Sequence, residues 1–156
     1  MHTIHIIAMG RAQESWQSEA IQQYLTRLRP FAQIRLTELP DEAESPTMTR
    51  AVIQQREAAL MRKQLPLHSF VVALDETGKA CSSSEWAQLL LDEAERGQPI
   101  TFLLGGAGGL SPELRTEAHR VISLGKHTMP HMLARIVVLE QLYRAETILK
   151  GKTYHR

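Results

Sequence analysis

Apolar positions along this chain follow two rhythms, and the rhythms alternate. "HTIHIIAM" (2–9) switches between polar and apolar and then becomes fully apolar, which predicts a strand. "SWQSEAIQQYLTRL" (15–28) repeats its apolar positions at three and four residues and predicts a helix that stops before Pro30. "AQIRLTEL" (32–39) alternates again. "DEAESPTM" (41–48) reads as a loop, with Ser45 as the N-cap and Pro46 as the first residue of a second helix reaching about Gln64. "SFVVAL" (69–74) is an unbroken apolar run, as a strand buried on both faces requires, and "DETGKACS" (75–82) follows as a loop.

Ser82 and Glu85 have capping-box spacing and open a third helix that Gly97 should stop. "PITFLL" (99–104) is another buried strand, and "GGAGG" (105–109) breaks it. Ser111-Pro112 starts a short helix, "RVISL" (120–124) is the last strand, and "GKHTMP" (125–130) is a loop. The final helix runs from His131 to about Lys150 and ends at Gly151.

Strand then helix, five times over, predicts an α/β fold with a mostly parallel sheet of five to six strands and helices on both faces. The 156 residues suit one domain, 1–156, with no linker or repeat. Ligands of such sheets bind outside the carboxyl ends of the strands. That selects three loops: "DETGK", "GGAGGL" and "LGKHTMP".

Composition narrows the class. Hydrophobic residues make up 43% and charged residues 22%, as in a protein with a proper core. No run approaches the roughly 20 apolar residues of a membrane span. The N-terminal apolar run meets Arg11 early and reads as a strand, not a signal peptide. Cys81 is the only cysteine, which suits a reducing cytoplasm. No metal-ligand cluster stands out in the sequence. Net charge is +1, but it is unevenly spread. From Arg120 to Arg156, seven Lys or Arg face two acids, a local charge of +5 that leaves −4 for the remainder. A basic pole is the footprint of a polyanion site, or else a solvated helix face.

The glycine turn points to nucleotide chemistry only in part. Four glycines in five residues allow close approach of backbone to a ligand, and a helix start after them favours an anion. Yet the dinucleotide fingerprint fails, because Ser111 stands where its third glycine belongs, and the phosphate loop GxxxxGK is absent.

The C-terminal string "GKHTMPHMLARIVVLEQLYRAETILKGKTYHR", with "LDETGK" and "LLGGAGGL", closely resembles the RlmH family over the whole chain. These are bacterial ribosomal RNA large subunit methyltransferases of the SPOUT superfamily that methylate N3 of a pseudouridine. The resemblance implies a C-terminal trefoil knot holding S-adenosyl-L-methionine, a homodimer, and a 23S rRNA target in the assembled ribosome near the subunit interface. It places Leu74, Gly105, Leu124, Gly125, Lys126, His127, Thr128 and Met129 around the cofactor. A side chain at Gly105 is expected to fill ligand space. His155, Tyr154 and Arg135 become the catalytic candidates, and Lys152, Arg156 and Arg144 the RNA contacts. Tyr154 offers a ring for a flipped base, and His155 a titrating group for the N3 proton. Asp75 and His131 are alternative bases, and Asp75 also suits a turn cap.

Arg144 lies four residues after Glu140, so a helix ion pair accounts for part of its placement. Tyr143 reads as core or dimer interface. The last helix is apolar on more than one face, which suits both a sheet contact and a self-complementary dimer contact. Two departures stand out: "GKHTM" (125–129) replaces a Ser-rich loop of many relatives, and Thr153 replaces a proline before the final tyrosine. Two rival readings remain open on the residues alone. One is a non-catalytic RNA-binding α/β module. The other is a nucleotide-binding protein of another class, such as a phosphotransferase.

Overall fold

A computed structural model describes residues 1–156, and its elements follow the hydrophobic pattern closely. They are β1 (His2–Met9), α1 (Ser15–Leu28), β2 (Ala32–Leu39), α2 (Arg50–Gln64), β3 (Phe70–Ala80), α3 (Ser83–Glu95), β4 (Ile100–Leu104), α4 (Pro112–Glu117), β5 (Arg120–Ser123) and α5 (His131–Leu149). The five strands form one sheet in the order β2-β1-β4-β3-β5, and every pairing is parallel. The expected parallel α/β sheet is present, with five strands.

Strand alternation sorts the core into two layers. Ile4, Ile6 and Ala8 of β1, with Phe102 and Leu104 of β4, face α1, α3 and α5. There Trp86 of α3 stacks on Phe102, with ring centroids 5.5 Å apart. Ile7 and Met9, with Leu103 and Ala73, face α2 and α4 through Ala58, Met61 and Leu114. All five residues of β4 are buried, because helices cover both of its faces. No helix is long and apolar enough to cross a membrane.

Local signals fixed most boundaries. The Ser82–Glu85 capping box forms as expected: Ser82 Oγ accepts from Glu85 N at 3.2 Å, and Ser82 N donates to Glu85 Oε2 at 2.7 Å. Ser111 caps α4 through its hydroxyl alone, which accepts from Leu114 N at 3.1 Å. Two expectations fail. Ser45 does not cap α2. It closes its own small turn with Met48, and Thr49 is the cap, its hydroxyl accepting from Val52 N. Nor is "DETGK" only a loop. β3 runs on to Ala80, because the chain bulges after Leu74 and rejoins β5 at Lys79, both residues lying opposite Ile122. Gly78 makes this possible: a Cβ there would come within 2.6 Å of the Val121 backbone.

The last helix ends in a reverse turn. Gly151 has φ +63°, a left-handed conformation natural to glycine. Gly151 N donates to Ile148 O and Lys152 N to Thr147 O, the paired bonds of a Schellman motif. The tail is thereby turned back along α5.

Candidate functional site

At the carboxyl ends of β4, β3 and β5, the three expected loops surround a cavity of about 630 Å³. That volume lies within the usual range for small-ligand sites. Leu74, Gly105, Leu124, Gly125, His127, Thr128 and Met129 all line it, brought together from three separate loops. Lys126 is exposed and is not part of the lining. The walls are mostly apolar side chains and glycine backbone. Such walls suit an aromatic base that needs hydrophobic faces and backbone hydrogen bonds.

Gly105 serves differently from expectation. A Cβ on it would lie 2.6 Å from Gly109 C and 2.8 Å from Leu110 N. It would strike the backbone of its own turn and would not project into the ligand space. Gly105 is what lets the turn fold back on itself so that the backbone of Gly106 and Gly109 reaches the cavity.

Arg135 is a correction as well. Its residue is 1% exposed. Nη1 donates to Glu38 Oε2 at 2.6 Å, and Nη2 donates to the Met9 and Gly10 carbonyls at 2.9 Å each. It ties α5 to the ends of β1 and β2 and has no free face for RNA or substrate. Burial lowers its pKa, and the Glu38 carboxylate opposes that shift.

Asp75 lines the cavity, and its Oδ2 accepts three hydrogen bonds. Thr77 donates to it through both backbone N and hydroxyl, and Arg115 Nη1 donates at 3.2 Å. Burial pushes its carboxyl up, but the Thr77 and Arg115 hydrogen bonds outweigh burial and hold it below the usual value. It caps the turn and carries a negative charge at the cavity wall. His131, the first residue of α5, lines the cavity with Nε2 3.8 Å from Asp41 Oδ2.

The C-terminal residues gather elsewhere. Tyr154 donates to Glu140 Oε1 at 3.1 Å and packs edge-on against Tyr143, with centroids 4.8 Å apart. Arg144 donates to Glu140 through Nε and Nη2, lies 4.7 Å over the Tyr154 ring and meets His155 Nδ1 at 3.4 Å. Burial and the Glu140 charge push the Tyr154 phenol up to about 12, so it stays protonated near neutral pH. Lys152 and Arg156 are exposed. Glu140 is nine residues after His131, or about 13 Å along the helix. The protomer therefore keeps its tail away from its own cavity.

Sequence reasoning missed Arg50. This first residue of α2 lines the cavity, and its Nε donates to Gly108 O at 2.8 Å. No local signal could reveal a contact 58 residues away.

The family profile described as "Predicted SPOUT methyltransferase" matches residues 2–155. The chain is 41% identical to a ribosomal RNA large subunit methyltransferase H of Allorhizobium ampelinum, covering 98% of each chain. It is 40% identical to the protein of that name from Acidiphilium cryptum, over 98% of this chain and 93% of the relative. A crystal structure of a probable methyltransferase from Bordetella pertussis shares the fold with a TM-score of 0.59 at 15% identity, covering 93% of this chain and 96% of that one. Sequence and fold agree, and the chain belongs to the SPOUT methyltransferase family.

Proposed function

We propose that this protein methylates N3 of a pseudouridine in 23S rRNA of the assembled ribosome, near the subunit interface, using S-adenosyl-L-methionine. The observation that carries this reading is the cavity itself: three loops distant in sequence meet at the carboxyl ends of the strands around one ligand-sized space. The residues fit the cofactor. Leu74, Leu124 and Met129 offer apolar walls to adenine, while Glu76 supplies negative charge for a sulfonium. The reading includes a trefoil knot, supported by a chain that leaves the edge strand β5 through the cavity loop and packs as α5 beside α1 and α3.

Bound S-adenosylmethionine supplies an activated methyl group. The chain's task is to position the base and to manage one proton. The imide N3 must lose its proton as the methyl arrives. His155 is the group proposed to take it, with the Tyr154 ring stacking on the base. Because the tail is far from its own cavity, we place it in the cavity of a second copy. The dimer contact would use the side of α5 that carries the exposed Leu133 and the half-buried Ile136 and Val137. Lys152 and Arg156 remain free to hold phosphates.

The test is mass mapping of modified nucleotides in 23S rRNA from a strain lacking this protein. Loss of one methyl group from a single pseudouridine is expected, restored when the gene is returned. An unchanged modification map overturns the reading and favours a non-catalytic RNA-binding role.

A further inference from the structure

The cavity is electrically lopsided. Arg50 is the only Lys or Arg among its lining residues. Asp75 and Glu76 carry the negative charges, and Asp75 is already paired with Arg115. An anionic group of a ligand is therefore drawn toward Arg50.

Arg50 is built to hold such an anion. Its Nε is committed to Gly108 O, and Gln54 Nε2 donates to the same carbonyl at 2.8 Å. This bond fixes the guanidinium plane and leaves both terminal nitrogens without a protein partner. The guanidinium lies along the glycine turn, because a Cβ on Gly108 would come within 3.4 Å of Arg50 Cγ, and one on Gly109 within 3.8 Å of Nη2. A planar fork with two free donors matches a carboxylate.

We propose that Arg50 binds the carboxylate at the methionine end of S-adenosylmethionine and so sets the orientation of the cofactor along the cavity. The proposal rests on the methyl-donor reading above. A backbone phosphate of RNA is the competing anion. The carboxylate is favoured because the exposed Arg50 fork is anchored on the same turn whose backbone lines the cavity.

Calorimetry on the full chain separates the possibilities with two probes. S-adenosylhomocysteine carries the amino-acid end, and 5′-methylthioadenosine lacks it. Arg50→Ala should weaken S-adenosylhomocysteine by about tenfold or more, the usual effect of losing a charge-assisted bond, while 5′-methylthioadenosine is unaffected. Arg50→Lys should recover part of the loss. Gln54→Ala, which removes the other support of Gly108, should leave the ratio of the two affinities unchanged. Equal weakening of both probes by Arg50→Ala means that the side chain only props the turn, and overturns the proposal. Unchanged binding of both probes, with weaker ribosome binding and a shallower salt dependence, makes Arg50 a phosphate contact and also overturns it. If the wild-type chain binds neither probe, the methyl-donor reading itself falls, and the proposal with it.

Discussion

The guanidinium of Arg135, on the first turns of α5, donates to the carbonyl of Gly10 at the end of β1 across 2.9 Å. The contact joins two elements 125 residues apart and closes the space between the last helix and the sheet. Arg135→Met should therefore be a stability variant. It strands Glu38 and two backbone carbonyls, a loss of about 3 kcal/mol for a broken buried pair. Glu38 can partly rehydrate, its side chain being 32% exposed, so the loss should fall at the lower end of that range. Urea unfolding reads it directly. Unchanged stability with a selective fall in kcat would restore the catalytic role that the sequence suggests.

Gly105→Ala should also act on folding first. A methyl at 2.6 Å from backbone cannot be relieved by rotating a flexible side chain. The turn must open, so we expect about 1–3 kcal/mol of destabilisation together with weaker binding of S-adenosylmethionine. Cofactor affinity lost at full thermal stability would instead mean that the side chain enters ligand space.

These two residues show what a sequence can and cannot disclose. The strands, helices and caps were legible because hydrophobic period and capping chemistry act within a few residues, as at Ser82 and Glu85. The three cavity loops were legible because parallel sheets place their loops predictably. The role of Arg135 was not, since its partners lie 97 to 126 residues away and an arginine on an apolar helix looks the same whether it anchors or contacts a ligand. The extension of β3 was hidden likewise, because it depends on Gly78 meeting β5.

Glu57, buried in α2 beside the glycine turn, gives a pH signature. Burial raises its carboxyl above the ordinary value, nearby Asp41 and Glu42 add to this, and backbone donors of Glu42 and Gly106 oppose it. The folded state therefore holds this proton more tightly than the unfolded chain. Its contribution to stability is most favourable below the unfolded pKa and is lost as pH rises through the folded one. Glu57→Gln removes the titration. Relative to wild type, the variant should gain stability in urea unfolding as pH rises from about 4 to 7.5. A constant difference across that window would show that Glu57 titrates normally.

The tail decides whether the site is shared. Tyr154 is tied to Glu140 and Tyr143, so removing residues 154–156 should cost about 1 kcal/mol of stability, the worth of one hydrogen bond and an aromatic pair. Cofactor binding should be untouched, since no tail residue lines the cavity. Methylation of ribosomes should nevertheless be lost in kcat, because Tyr154 and His155 would be missing from the partner's cavity. A tail that supplies only charge would raise KM and leave kcat alone. Subunit mixing then tests the sharing. Thr128→Trp fills the cavity from an exposed lining position, and the truncated chain lacks the tail, so each homodimer should be inactive. In a mixed dimer, the intact cavity of the truncated chain meets the intact tail of the other. Random reassortment of equal amounts makes half the dimers mixed with one working site each, so about a quarter of wild-type activity should return. Sedimentation should show particles of twice the 17.6 kDa chain mass throughout. A monomer that still methylates ribosomes, or a mixture that stays inactive while mixed dimers form, would show that the tail does not complete a partner's site.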